Sequence, residues 1–230
     1  MAGGNGMRLR PFTTVIPKPL IPINDAPIIE IIVKQLRHHG FTRISIALGY
    51  LAELIKVFLG DGSKYGIQIV YSVETTPLGT ISPLTLFDDL ASTVLVMNAD
   101  LLTNLNYRAF MDFHRAQQAA VTIGMYRQAI STDLGVIETN GDYRLKQYRE
   151  KPEIVVNVSM GIYALESRIL AYLPKDKPVY FPDFINRLIQ SGENVIGYPF
   201  EGYWLDIGRQ CDYDRAVREF NQIRGELNID

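Results

Sequence analysis

Within its first nineteen residues the chain gathers Gly3, Gly4, Gly6, Arg8, Arg10 and Lys18, stiffened by Pro11, Pro17 and Pro19. Glycine lets backbone N–H groups approach a ligand with no Cβ in the way, and successive N–H groups form anion-binding concavities. Guanidinium and ammonium groups beside such a loop suit a phosphate chain. The loop is not a P-loop, since no Gly-Lys-Ser/Thr follows the glycines. Nor is it a dinucleotide fingerprint, because Leu9 stands where a third small residue is needed. For the glycines alone an ordinary turn is the alternative; the clustered cations weigh against it.

Two aspartates offer the complementary charge. Asp100 closes an apolar run, the place where open α/β sheets put ligand groups, although a turn or capping aspartate is the plainer reading. Asp206 lies in Gly202-Tyr203-Trp204-Leu205-Asp206-Ile207-Gly208, where a bare carboxylate among aromatic and apolar neighbours needs a partner. Brought together, the two could hold Mg²⁺, which favours one or two carboxylates plus substrate phosphates. Arg149-Glu150-Lys151-Pro152 offers a lysine fixed for a phosphate contact, or simply a surface charge pair. Glu74 to Thr80 is turn-rich, with Gly79 allowing close backbone approach to a flat ligand.

Local patterns indicate what must position these groups. Helical periodicity covers Ile28–His39, with Gly40 as its cap, and Leu51–Leu59, Pro83–Leu90, Tyr107–Gln118, Pro182–Ser191 and Asp212–Arg224. Strands are expected at Ile44–Leu48, Ile67–Val73, Thr93–Asn98 and Val121–Tyr126. The alternation predicts an α/β, Rossmann-like sheet, mostly parallel but mixed, with helices on both faces. Gly135–Glu138, Tyr143–Glu150 and Asn157–Tyr163 follow one another without helices, which predicts antiparallel additions or a small lobe. One domain over 1–230 is the economical organisation, with 1–126 and 127–230 as halves divided where the rhythm changes.

Composition narrows the partners. A net charge of −2 gives no global reason to expect nucleic acid or an anionic membrane, so any positive site must be local. The single cysteine, Cys211, excludes an internal disulfide and suits a cytoplasmic location. No apolar run reaches membrane-spanning length. His38, His39 and His114 lack metal-ligand spacing, and no Ser-His-Asp or Cys-His arrangement is present. The oligomeric state is open, with a homodimer as the default.

Taken in order, Ala2-Gly3-Gly4-Asn5-Gly6-Met7-Arg8-Leu9-Arg10-Pro11, Pro17-Lys18-Pro19, Pro77-Leu78-Gly79-Thr80, Asn98-Ala99-Asp100, Glu150-Lys151-Pro152 and Tyr203-Trp204-Leu205-Asp206-Ile207-Gly208 resemble the sugar-phosphate nucleotidylyltransferases. The likeness covers essentially the whole chain and is greatest to bacterial mannose-1-phosphate guanylyltransferase-like members without a β-helix domain. It implies that an NTP and a sugar 1-phosphate give an NDP-sugar and pyrophosphate, with GTP and mannose 1-phosphate favoured. It implies Arg8, Lys18, Asp100 and Asp206 as catalytic residues, with Mg²⁺ held by Asp100 and Asp206. Ala2, Gly3, Gly4, Gly6, Glu74, Gly79 and Thr80 would bind the nucleotide. Gly135, Glu150, Lys151 and Ser159 would bind the sugar phosphate.

The chain departs from that pattern at several places. Met7 stands where Thr is common, Ala99 replaces Gly, Ser159-Met160-Gly161 replaces Asn-Ala-Gly, and Ile81-Ser82 replaces Ala-Gly, adding bulk expected near nucleotide or sugar. Relatives also carry a short apolar strand directly before the glycine loop, whereas this sequence opens at Met1-Ala2-Gly3. The expectation is a start assigned too late or a shortened chain, with unpaired backbone, marginal stability and weak nucleotide binding. Two further readings stand beside the main one. A catalytically weak, nucleotide-sugar-binding regulatory relative would bind without releasing pyrophosphate. A GT-A-like glycosyltransferase, with Asn98-Ala99-Asp100 imitating Asp-x-Asp, would leave Arg8, Lys18 and Lys151 without a triphosphate to neutralise.

Overall fold

The computed structural model describes residues 1–4, 6–174 and 177–229. After the glycine loop and a short hairpin, β1 (Pro22–Ile23) and β2 (Ala26–Pro27), helix α1 (Ile28–His38) begins directly behind Pro27. Its apolar residues at Ile28, Ile29, Ile31, Ile32, Val33 and Leu36 are all buried. It stops where the pattern predicts: the Gly40 amide donates to Arg37 O and the Phe41 amide to Leu36 O, each at 3.0 Å, the paired bonds of a glycine C-cap.

Parallel strands β3 (Arg43–Leu48) and β4 (Gln68–Val73) enclose α2 (Ala52–Leu59) in sequence. A four-stranded sheet follows, in the order β11 (Val195–Phe200), β7 (Val121–Ser131), β10 (Glu153–Glu166), β5 (Thr93–Met97). Only β10 runs against its neighbours in that sheet; β11 and β7 are parallel to each other. Among the described residues, Met1 and Ala2 enter between β5 and β3. The expected mixed, mostly parallel sheet is present.

Alternate residues of β10 show that both of its faces are covered. Ile162 and Ala164 join a core with α1, α3 (Tyr107–Ala116) and α5 (Gln210–Ile223), whereas Tyr163 and Leu165 join a core with α4 (Phe181–Gln190). A third cluster joins Ile55 and Leu59 of α2 to Ile46 and Leu48 of β3 and to Ile29 and Val33 of α1. Beyond the sheet, β7 and β10 continue as a ribbon that carries the hairpin of β8 (Val136–Thr139) and β9 (Leu145–Arg149), the small lobe expected from sequence.

Two local expectations differ from the structure. Pro83–Leu90 is not an α-helix; only a 3₁₀ turn forms over Ser82–Leu86, where the Thr85 hydroxyl donates to Ser82 O at 2.8 Å and competes with helical bonding. Strand β11 escapes pattern reading because Gly197 and Pro199 interrupt it; as the sheet edge it tolerates the proline. Among the described residues no helix is long and apolar enough to cross a membrane.

Candidate active site

The two aspartates, 106 positions apart in sequence, meet through strand pairing. Strands β6 (Leu101–Thr103) and β12 (Trp204–Asp206) pair antiparallel, with Asp206 opposite Leu101, and the Ile207 amide donates to Asp100 O at 3.0 Å. This register sets the two carboxylates side by side. Lys18 reaches both: its ammonium donates in a short contact to Asp100 Oδ2 and lies 4.0 Å from Asp206 Oδ1. The 3₁₀ turn Lys18–Leu20 that carries it is closed by Leu20 N to Pro17 O at 2.8 Å.

Burial raises the Asp206 carboxyl above its ordinary range, and the neighbouring Asp100 charge adds to the rise; Lys18 and Arg8 oppose it. Oδ1 of each aspartate is buried without a hydrogen-bond partner. Two adjacent bare carboxylate oxygens fit a hard divalent cation such as Mg²⁺, whose remaining ligands are substrate phosphate and water. Among the described residues no group of three or more potential metal-ligating side chains exists, so such an ion depends on the substrate to complete its shell.

Two adjoining cavities meet at this corner. One, of about 380 Å³, is lined by Gly4, Gly6, Arg8, Lys18, Asp100 and Gly208. The Arg8 side chain lies so close to Gly208 that a Cβ there would be 3.4 Å from the guanidinium. The other, of about 540 Å³, is lined by Gly3, Gly49, Glu74, Gly79, Thr80 and Tyr180, among others. Gly4, Met1 and Asp100 border both. The structure therefore brings together Arg8, Lys18 and Asp100 with the loop glycines, and sets Glu74, Gly79 and Thr80 beside them; Ala2 is buried beneath the loop, its amide donating to Ala47 O at 2.9 Å.

Several assignments acquire different physical content. Gly79 (φ 84°) bridges Val179, and a Cβ there would strike the Val179 carbonyl, so chain packing already demands glycine. The Thr80 hydroxyl accepts the Phe181 amide at 2.8 Å, which occupies its oxygen with chain closure. Glu74 accepts the Leu78 amide at 3.0 Å through Oε2, and its Oε1 abuts Gly3, where a Cβ would lie 2.6 Å away. Ile81 is fully buried in the α4 core, so its bulk does not line the nucleotide cavities.

On the other half of the chain, Gly135 packs against Tyr148 and Glu150, and the Tyr148 hydroxyl donates to Glu150 Oε2 at 3.0 Å. Lys151 follows in an exposed turn with φ 43°. These three share the β8–β9 lobe, and none lines either cavity. Ser159 connects to the corner more directly: its Oγ accepts the Gly161 amide at 3.3 Å, Gly161 O accepts the Asn98 amide at 3.0 Å, and the Trp204 indole donates to Met160 O at 3.0 Å. The β10 bulge between Ser159 and Tyr163 thus stands against both aspartate-bearing segments.

Sequence reasoning does not single out Tyr50 or Tyr180. Gly49-Tyr50 at the end of β3 could have been found, since such strand ends carry ligand groups. Tyr180 has no local signal, because the long-range bridge from Gly79 to Val179 brings it in.

With this geometry in place, the comparisons with known proteins are decisive. The Nucleotidyl transferase family model matches residues 1–222. The chain belongs to the sugar-phosphate nucleotidylyltransferase family. It is 31% identical over 241 residues to a UTP–glucose-1-phosphate uridylyltransferase of Synechocystis sp., covering 95% of this chain and 61% of that protein. It is 32% identical over 222 residues to a mannose-1-phosphate guanyltransferase of Schizosaccharomyces pombe, covering 93% and 61%. The chain thus spans about three fifths of the length of the curated relatives it matches. The crystal structure of HddC from Yersinia pseudotuberculosis superposes with a TM-score of 0.73 at 25% identity, covering 95% of this chain and 96% of that one.

Proposed function

We propose that this nucleotidyltransferase-family chain is an enzyme that transfers a nucleotidyl group from an NTP to a sugar 1-phosphate, with GTP and mannose 1-phosphate as the favoured pair, in the cytoplasm. The observation that carries the reading is the convergence of Arg8, Lys18, Asp100 and Asp206 on one corner between a glycine-lined cavity and the β10 bulge. A phosphate oxygen of the sugar 1-phosphate attacks the α-phosphorus, a new P–O bond forms, and the bond to the β-phosphate oxygen breaks in line, releasing pyrophosphate. No protein nucleophile is needed; alignment and charge neutralisation carry the rate.

Gly4 and Gly6 backbone in the smaller cavity accommodates the phosphates, and Arg8 balances the charge that develops on departing pyrophosphate. Lys18 holds the two carboxylates together and presents its remaining N–H donors to the α-phosphate. Mg²⁺ bound at Asp100 and Asp206 would supply Lewis-acid neutralisation of the phosphates. The larger cavity takes base and ribose beside Glu74 and Gly79, while Ser159, and Glu150 and Lys151 from the lobe, receive the sugar phosphate. Guanine and mannose lead because of the mannose-1-phosphate guanyltransferases among the relatives, although a uridylyltransferase stands beside them.

The test is pyrophosphate release with Mg²⁺ across the common NTPs and a panel of sugar 1-phosphates. Release that requires both substrates and is fastest with GTP and mannose 1-phosphate is expected. A different best pair overturns the specificity, and nucleotide binding with no release under any pair overturns the activity.

A further inference from the structure

Strands β6 and β12, whose pairing sets Asp206 beside Asp100, form a ribbon of three residues a side that joins no other strand among the described residues. So short a pairing has little of its own to fix its register, and a slip of one residue would turn Asp206 to the opposite face. What fixes it lies at the end away from the aspartates. There Thr103 is fully buried; its hydroxyl donates to Tyr203 O at 2.7 Å and accepts the Leu105 amide at 3.2 Å. Asn104 completes the lock, its amide donating to Tyr203 O at 3.1 Å and its Oδ1 accepting the Tyr203 amide at 2.7 Å.

A second contact ties this ribbon to α1. The cross-ribbon bonds run from Ile207 to Asp100 and from Asn104 to Tyr203, so the carbonyl of Thr103, between them in the antiparallel alternation, turns away from β12. It accepts Gln35 Nε2 at 2.7 Å. Gln35 stands on α1 among the buried Ile31, Ile32 and Leu36, is 1% exposed, and its Oε1 has no hydrogen-bond partner among the described residues. A half-satisfied amide in an apolar core is costly, and the bond it does make is to the aspartate ribbon.

The same helix holds the third member of the corner. Ile28 lies two turns before Gln35, roughly 10 Å along the axis on the same face. Its amide donates to Ile21 O at 3.2 Å, and the Ile21 amide donates to Lys18 O at 3.1 Å, which ties the Lys18 turn to the start of α1. Helix α1 is thus a spine with Lys18 anchored at one end and the two aspartates anchored at Gln35.

We propose that Gln35 and Thr103 are positioning residues for nucleotidyl transfer. Gln35 ties the ribbon to α1, Thr103 locks its register, and together they set Asp100 and Asp206 relative to Lys18. Neither residue lines the substrate cavities, so neither touches substrate. The link to catalysis rests on the proposed function; the mechanical link to α1 does not.

The test compares Gln35→Met and Thr103→Val, which nearly keep volume and lose the hydrogen bonds, with Thr103→Ser, which keeps the hydroxyl. Two readings need no turnover. Exchange of the Ile207 amide, bonded to Asp100 O at 3.0 Å, should quicken about tenfold in the first two while the amides of β3 keep their wild-type rates. Emission of Trp204, the single tryptophan and the residue opposite Thr103, should shift with it. With substrates, kcat should fall about tenfold with the KM for NTP within about twofold, because the glycine-lined grip on the phosphates is untouched. Thr103→Ser should restore kcat to within about twofold of wild type.

Unchanged Ile207 exchange and Trp204 emission in Gln35→Met and Thr103→Val, or exchange that quickens equally in β3, overturns the positioning role. Faster Ile207 exchange with wild-type kcat overturns its link to catalysis. If one of these two variants does not fold, the other decides; if neither folds, the contacts serve the fold and the positioning role is overturned. Should wild type release no pyrophosphate, the proposed activity fails, and exchange and emission still decide the link to α1.

Discussion

Met1 and Ala2 separate two cavities of similar size and opposite character, about 380 Å³ lined by Arg8, Lys18 and Asp100 on one side and about 340 Å³ of apolar wall on the other. The charged cavity is assembled by contacts present in the chain: the β6–β12 register sets Asp206 beside Asp100, and Lys18 binds the two. The apolar slot lies between β3 and β5, whose facing edges, among the described residues, pair with Met1 and Ala2 at one end. The chemical corner and its mechanical support are thus separable, and substitutions on the two sides should separate in their effects.

The largest effect falls on the charged side. Asp206→Ala should lower turnover by about 10³-fold while Tm stays level or rises, because a half-exposed carboxylate whose buried Oδ1 has no hydrogen-bond partner is removed. Near-normal turnover would remove Asp206 from the catalytic set. Lys18→Met should act on both activity and stability. Without the ammonium two adjacent carboxylates face each other, at a cost of about 2–3 kcal/mol, below that of a fully buried pair. Urea unfolding should show this loss at neutral pH and its recovery on acidification, as the raised Asp206 carboxyl protonates.

On the slot side the effect is a pH dependence. Burial lowers the Met1 ammonium from its ordinary 8.0 to about 6, against the opposing charges of Asp100 and Glu74. Between those values the unfolded chain binds more protons than the folded one, so this group makes stability rise as pH goes from 6 to 8, by on the order of 2–3 kcal/mol. Urea midpoints across that range check the sign; a fall through the same window contradicts it. The smallest effect on folding is expected in the β8–β9 lobe. Lys151→Ala should leave Tm within experimental error while raising the KM for sugar 1-phosphate about tenfold, and an effect on NTP use alone would reassign the residue.

Much of this was legible in sequence because local rules act locally. Helix α1 and its Gly40 cap, β3 and β4, and the change of rhythm after Tyr126 all follow from periodicity and turn residues. The ordered motifs carry Arg8, Lys18, Asp100 and Asp206 to one corner, but spacing alone could not bring aspartates on different strands together; that depends on β6–β12 pairing. Gly79 was legible as a place of close approach, but the approaching group is Val179, a partner only tertiary structure supplies. Tyr180 enters by the same bridge. Ile81, suspected of crowding the substrate, lies in the core beside Val179, whose carbonyl accepts the Ile81 amide at 3.2 Å.

The central claim is that the Asp100–Asp206–Lys18 corner acts on an α-phosphorus. The most direct measurement follows label from GTP in the presence of mannose 1-phosphate and Mg²⁺, in parallel for α- and γ-labelled nucleotide. The account predicts α-label in a nucleotide sugar and γ-label in pyrophosphate, both lost in Asp206→Ala. Transfer of the γ-label to the sugar, or α-label transfer unchanged in Asp206→Ala, would contradict it.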